Sequence, residues 1–592
     1  MQMNVPTAAP GQKERKDLIE RKQRNGTTYV YERTSVYDSK RKFYVPVSHK
    51  LIGKKLPGSN QVIPTRPKSP KGSLRKAAAV DPPAIGDVSA TRIQYGASQI
   101  VARIGEASGI DDDIMRSCTE AIGKKIIALA RYYFMSDGES TSRVEKWQLM
   151  HILAPYNEFI SEDTAHKLFD TLTANESIRQ NIFFYRASHL TDKTTLAYDS
   201  TTISTYGKSH GRARYGYNKA KDGLKTDKLF TFYSMETRQP ICFYTAPGNI
   251  PDVSGIESAM KQLKVLGLKN VEITTDSGFY SEENLSLMLQ YSYHFITRVS
   301  HTLRWIRPEV DKALQSLEDT GNMSPDEPGT YGVTICLKHE FTKIRKRGSE
   351  KNGIKVGDPV QFTRRIYVHI FFNDINRIKD NLSLDRDLNE LRTLYLEGQR
   401  EFDQPSQNMI DKFLIIKAHR NGNVDIQFNT SAIRDEKKYN GVFVLVSDKE
   451  KDTFSALRKY RKREWIEDFF EAYKQRTGDS KHHTWTDFTT DGRKLVKFVA
   501  LSYYEYFSRM INEIKDTLGK KTGDRQHDTK KNLARENALK SWLNNTSIHE
   551  ILDWFDAVER VEVISPYARE KWTTDVIERD TLFLEKLGVK FE

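Results

Sequence analysis

The chain has 592 residues, 38% of them hydrophobic, enough to build several buried cores. Its three cysteines, Cys118, Cys242 and Cys336, stand far apart with no C-x-x-C pair, which argues against a disulfide framework or a zinc module and for a reducing, cytoplasmic setting. The net charge of +14 is concentrated: residues 1–80 hold 18 Lys and Arg against 5 Asp and Glu, a balance that suits a polyanion, most simply nucleic acid.

No apolar run approaches the ~18 residues of a membrane span, and the first residues show no charged-then-apolar secretory pattern. Residues 1–25, polar and basic, read as disordered. Thr27 to Val47 reads as strands with basic residues among aromatics, and Pro57 to Ile85, which carries six prolines, as a linker. Residues 1–85 form a basic N-terminal DNA-binding region and linker in this reading. Residues 86–190 turn helical and are expected to be a second DNA-binding domain, with Ile100, Ile104, Ile110, Ile126, Ile127, Leu129 and Ala130 as core. Asp111-Asp112-Asp113 reads as a helix N-terminal cap and not as a metal site.

The period then changes. Residues 191–300 give strands at Thr195–Asp199, Leu229–Tyr233, Pro240–Tyr244, Val271–Asp276 and His294–Thr297, with helices at 253–266 and 281–291. This β-β-β-α-β-α-β order predicts an α/β fold: an RNase H-like core with a mixed sheet and helices on its faces. Residues 301–440 interrupt it with strand-rich segments and one charged helix at about 375–401, a β-rich insertion domain. The core is expected to resume over 441–517, and 518–592 to form a helical C-terminal domain.

Asp199 ends up in the first strand of this core and Asp276 at the C-terminal end of the fourth, which would be its neighbour at the sheet centre. Ser277 and Gly278 let the chain turn and leave Asp276 at the sheet edge. On one helix spanning 460–474, Tyr460, Arg463, Glu467 and Lys474 fall at roughly 0°, 300°, 340° and 320°, one narrow stripe, while Ile466, Phe469, Phe470 and Tyr473 form an adjoining apolar sector. Such a stripe is equally a solvated charged face. Three carboxylates without His or Cys suit Mg²⁺, with Mn²⁺ as a substitute, and two such ions about 3.5–4 Å apart suit phosphodiester chemistry. Geometry alone allows Glu464 or Glu471 in place of Glu467. His482-His483 is a weak ligand pair, His210 and Arg212 belong to a basic loop better suited to DNA than to metal, and no Walker loop is present.

Tyr460, Arg463, Glu467 and Lys474 match without a gap the Y-(2)-R-(3)-E-(6)-K signature, and the chain resembles the insertion-sequence transposases of the DDE class that carry it. Asp276-Ser-Gly-Phe279 and Tyr198-Asp199-Ser200-Thr201 look like that family's aspartate motifs; Tyr215-Gly216-Tyr217 and Pro247-Gly248-Asn249, followed by Asp252, look like further segments of it. The signature selects Glu467. The resemblance implies a cut-and-paste enzyme with Asp199, Asp276 and Glu467 as catalytic metal ligands for two Mg²⁺, acting on double-stranded DNA of transposon ends and on target DNA. It further implies hairpin intermediates, a homodimer pairing two ends through the C-terminal helices, and a nucleoid-associated location. Tyr460, Arg463 and Lys474 would face phosphates. Hairpin-forming relatives stack a flipped base on an aromatic ring, a role open to Trp305 or Trp465, although core packing is the plainer role for each. The alternatives are a catalytically inactive transposase-derived DNA-binding protein and an RNase H-superfamily nuclease without strand transfer.

Overall fold

A computed structural model describes residues 14–22, 27–38, 42–56, 61–64, 89–191, 194–207, 209–345, 355–418, 424–478, 481–482, 484, 486–521, 529–565 and 568–591. Most of the expected linker 57–85, His483 and Trp485 lie outside the described residues. The chain divides into two compact units, one up to Pro83 and one from Ala84.

The first unit is an antiparallel meander of β1 (Glu14–Lys22), β2 (Thr28–Asp38), β3 (Phe43–Lys55) and β4 (Ile63–Pro64). β1 corrects the reading of residues 1–25 as uniformly disordered: its charges pair across and along the strands, Arg33 with Asp17 at 3.3 Å and Lys55 with Glu20 at 2.5 Å. Composition scores those charges as solvent-seeking, but a two-sided ribbon can keep them wet and still pair its backbone.

In the second unit β5 (Ser89–Gln94) leads into helices at Gly96–Ser108, Ile110–Ser117, Glu120–Met135, Glu162–Ala174 and Glu176–Ser188. All seven expected core residues in this region are buried. Asp111-Asp112-Asp113 fall in the first turn of helix Ile110–Ser117, as expected of a helix N-terminus, but Gly109 is the N-cap: Asp111 accepts from Arg131 Nη2 at 2.5 Å and Asp113 from the His189 ring at 3.0 Å, so these two carboxylates pin neighbouring segments.

The sheet beyond them uses β6 (Thr195–Thr205), β7 (Thr226–Ser234), β8 (Gln239–Pro247), β9 (Glu272–Thr275) and β10 (His294–Val299), with helices Ile256–Val265 and Glu282–Gln290 in the expected places. It continues with β11 (Thr330–Ile344), β12 (Pro359–Asn373), β15 (Val442–Ser447) and the two-residue β16 (Lys481–His482). The order is β11-β12-β15-β10-β9-β6-β7-β8, with β16 beside β6. β10, β9 and β6 run parallel at the centre, with antiparallel strands on both sides. The strand-rich segment therefore lends its two long strands to the central sheet itself. Helices Asp374–Leu396, Gln404–Phe413 and Thr430–Lys437, with the hairpin β13 (Leu414–Ala418) and β14 (Val424–Phe428), lie outside that sheet, and Leu391, Ile410, Leu414 and Ile426 form a small core of their own. The C-terminal region is not wholly helical either: β17 (Glu559–Ile564) pairs with β18 (Arg569–Thr573) and with β5.

The helix Asp487–Thr517 packs on helices Glu162–Ala174 and Glu120–Met135. Its Thr486 cap accepts from the Thr489 amide, and Leu495, Phe498, Val499, Tyr503 and Phe507 are buried along it. Gly492 lets it cross helix Glu162–Ala174 closely, because a Cβ there would lie 2.0 Å from the Phe169 carbonyl oxygen. Among the described residues no helix is long and apolar enough to cross a membrane.

This helix also buries Glu505, whose carboxylate accepts from Tyr233 Oη at 2.7 Å. Burial pushes that carboxyl up from 4.5 to about 7. Between those values the fold retains a proton that the unfolded chain has released, so its stabilising contribution is lost as pH rises. Glu505→Gln should leave the thermal midpoint unchanged near pH 5 and raise it near pH 8, by about 1–3 kcal/mol of stability; melting curves across that range check it.

Candidate active site

β6 is bonded to β7 along Leu196–Ser204, but its other edge is shared. β9 pairs with its first residues, Thr195 to Ala197, and β16 with its last, Ser204 and Thr205. Among the described residues no strand pairs with 198–203 on that side, a crevice between parallel strands of the kind that collects functional groups. Asp199 lies there. Extending the register, in which Thr195 faces Glu272 and Ala197 faces Thr274, sets Asp199 level with Asp276 on the neighbouring strand. Strand alternation puts both on one face, with Ala197 and Thr274.

Two helices cover that face, Thr453–Arg461 and Glu464–Arg476. The single helix expected over 460–474 is thus broken at Lys462 and Arg463. The Arg463 amide bonds back to Tyr460 O at 3.0 Å and the Ile466 amide to Arg463 O at 3.0 Å, a tight turn of i−3 bonds with no Gly or Pro. Tyr460 closes the first helix over Ile296, Phe371, Phe443 and Leu445. In the second, the apolar sector is buried as expected: Ile466, Phe469, Phe470 and Tyr473, with Phe469 and Tyr233 ring centroids 5.9 Å apart. Just beyond this helix, Gly478 meets Gly138 backbone to backbone. Both have positive φ (61° and 76°), and a Cβ on Gly478 would lie 2.6 Å from Gly138 O.

The break aims the functional groups inward. Arg463 donates from Nη1 to Asp199 Oδ2 at 3.1 Å and from Nη2 to Glu467 Oε1 at 2.6 Å. Tyr460 Oη donates to Asp276 Oδ1 at 3.1 Å. The Ser200 amide donates to Asp199 Oδ1 at 2.7 Å. Burial pushes the Asp199 carboxyl up to about 6 against the pull of Arg463, the Ser200 amide and Lys219, and Asp276 adds to the rise. Burial also drives the Tyr460 phenol up to about 12, with Asp276 adding to it. Burial opposes the Arg463 charge, but Tyr460 and the three carboxylates hold its pKa above the usual range. Lys474 is lowered by burial and by the nearby Lys219.

The other expected site residues sit apart from this cluster. Trp465 lies under the Arg238 guanidinium, 4.0 Å from its ring centroid, beside the main core. Trp305 donates from Nε1 to Tyr280 Oη at 3.1 Å and packs on His339. His210 is buried, with Nδ1 3.1 Å from Asp487 and Nε2 2.8 Å from Thr484 O. Arg212 grips Asp491 with both Nη atoms at 2.6 Å. Those two residues lock the loop after β6 onto the start of helix Asp487–Thr517. Asp252 lies on the other face of β6 and accepts from Ser200 Oγ at 2.6 Å and Lys228 Nζ at 2.9 Å. Sequence reasoning missed Lys219, one of 93 Lys and Arg with no spacing to single it out. It also missed the buried Asp227, which binds Lys494 and, at 3.0 Å, His482.

Among the described residues no three His, Cys, Asp or Glu side chains are gathered closely enough to hold a metal ion. The three carboxylates are arranged around Arg463 and Tyr460 instead. The donor set itself fits a hard divalent cation: carboxylate oxygens only, one of them buried and raised towards neutrality, so that added positive charge would be favoured there.

Asp199 on β6, Asp276 just past β9 and Glu467 on the covering helix thus form an acidic cluster on one face of the mixed sheet. The Transposase DDE domain family model matches residues 190–489, and the chain belongs to that family, a DDE-class transposase. Among solved structures it is similar to the piggyBac transposase synaptic complex with hairpin DNA, with 12% identity, 78% of this chain and 83% of that one covered, and a TM-score of 0.34. No curated protein matches it.

Arg463→Ala would strip the buried Asp199 of its cation. We expect a stability loss of about 3 kcal/mol near pH 8 in urea unfolding, and a smaller loss near pH 5, where Asp199 is protonated.

Proposed function

We propose that this transposase cuts and joins DNA through Asp199, Asp276 and Glu467, holding two divalent ions, Mg²⁺ or Mn²⁺, as a cut-and-paste enzyme of the hairpin-forming Y-(2)-R-(3)-E-(6)-K group. The observation that carries the reading is the single Arg463 guanidinium bonded to both Asp199 and Glu467, beside Tyr460 on Asp276. An RNase H-like core is supported by the order β10-β9-β6-β7-β8, that is, fifth, fourth, first, second and third strand of the core.

Bound at these carboxylates, the ions would supply charge for activating the attacking oxygen and stabilising the leaving oxygen of an in-line displacement. The protein groups do the positioning. Arg463 holds the buried Asp199 and the exposed Glu467 in place until substrate arrives. Its Nε is buried and makes no hydrogen bond among the described residues, a donor suited to a phosphate oxygen. Lys474, half-exposed at the far end of the same helix, adds a point charge for the backbone of the strand being cut. Tyr460 fixes the Asp276 rotamer. We assign end binding to residues 1–85 and the helices of 86–190, and pairing of two copies to 518–592.

Asp199→Ala should abolish cleavage of end DNA in Mg²⁺ while leaving end binding intact in a mobility-shift assay; cutting by that variant would remove Asp199 from the site. A strand-transfer assay with pre-cleaved ends separates this reading from a nuclease that only hydrolyses. Removing residues 1–80 should weaken end binding sharply and flatten its salt dependence, because most of the excess charge is lost; binding unchanged in a titration over salt would refute that assignment.

A further inference from the structure

The loop joining β6 to β7 follows the end of β6 that pairs with β16. It carries three of the most exposed aromatic rings in the described chain: Tyr206 at 57%, Tyr215 at 70% and Tyr217 at 73% exposure. Exposed tyrosines this dense are unusual where no partner exists, since each ring leaves a large apolar face in water.

Cations interleave with them. Lys225 Nζ lies 5.5 Å from the Tyr215 ring centroid, and Lys481 Nζ lies 4.9 Å from that of Tyr206. Lys219 and Lys221 are exposed between Tyr217 and Lys225. The one acid of the loop, Asp222, is consumed within it: its carboxylate accepts from Asn218 Nδ2 at 2.7 Å and the Leu224 amide at 3.1 Å, and pairs with Lys481 at 3.2 Å. Asp487 and Asp491 of the following helix are taken up by His210 and Arg212, which leaves Lys219, Lys221 and Lys225 exposed beside the tyrosines.

It is also braced. Gly216 runs so close to the next turn that a Cβ there would lie 2.6 Å from Gly248 O, which holds Tyr215 and Tyr217 on a fixed backbone. The Lys219 amide bonds to Thr202 Oγ1 at 3.4 Å, on the same strand, β6, that carries Asp199. The platform is thus anchored on the strand that carries Asp199.

We propose that the loop 206–225 is a binding surface for a single DNA strand, with Tyr206, Tyr215 and Tyr217 stacking unpaired bases and Lys219, Lys221 and Lys225 contacting the phosphates between them. Stacking on exposed rings needs bases freed from their complement, and it is tolerant of sequence because every base has a flat face. A duplex offers the tyrosines only its backbone. This inference rests on the reading of the carboxylate site as a DNA cleavage site, and it says which form of the DNA passes beside that site.

The full-length protein is titrated against a short labelled single-stranded oligodeoxynucleotide of mixed sequence and, separately, against its duplex, with anisotropy as the readout. The triple variant Tyr206→Ala, Tyr215→Ala, Tyr217→Ala should lose about tenfold or more in affinity for the single strand, with duplex binding unchanged, and the triple Phe variant should retain both. Lys219→Gln, Lys221→Gln, Lys225→Gln should make the salt slope for the single strand shallower by about two units. The proposal is overturned if the Ala variant, melting like the parent protein, binds the single strand as the parent does, or loses single-strand and duplex binding alike. An unchanged salt slope in the Gln variant overturns it too. Asp199→Ala should bind both DNAs normally, so a failure of the cleavage reading shows in that variant's cutting and a failure of this one in the tyrosine variants' binding.

Discussion

Three carboxylates brought to one end of a sheet repel one another, and a fold that gathers them must supply a counter-charge from within. Here that charge is the Arg463 guanidinium, itself largely buried, with one arm on Asp199 and the other on Glu467. Breaking such a pair leaves an uncompensated charge in a poor solvent for it, which is far costlier than the pair is stabilising. The geometry of the site follows from this requirement. The guanidinium has to lie over the sheet and not along the helix surface, and that is achieved by interrupting the helix at the arginine.

The opening that receives it comes from the sheet. A parallel strand bonded along its full length on both edges would leave no room for a side chain of this size between strands. β6 instead gives its first residues to β9 and its last to β16, and the edge between is closed by the helix Glu464–Arg476. The same strand anchors the opposite face through Ser200 and Asp252, so its alternation separates the face bearing Asp199 from the one held by that bond.

Much of this was legible in the sequence, for identifiable reasons. Asp199 and Asp276 stand at corresponding positions of β-branched and aromatic runs whose order specified adjacency, and the burial of Ile466, Phe469, Phe470 and Tyr473 followed from helical spacing alone. The break at Lys462 and Arg463 did not: residues 453–476 contain no Gly or Pro, so no local breaker marks it. Pairing of β5 with β17 joins segments 465 residues apart at Gln94 and Glu559, and no local pattern encodes that. The attachment of β11 and β12 to the central sheet was hidden likewise, because alternating strands look the same whether they form their own layer or extend another. Lys219 was invisible for a simpler reason: its importance is its position, and its residue type is common.

The glycine contact beside the Glu467 helix has a mechanical consequence. With Gly138 and Gly478 touching backbone to backbone at one end and the tight turn after Tyr460 at the other, this helix is a strut clamped at both ends. It has little freedom to slide along the sheet. Adjustment between Glu467 and Asp199 is left to side-chain torsions, so the reach of the glutamate, four bonds from its backbone, sets the tolerance of the whole acidic cluster.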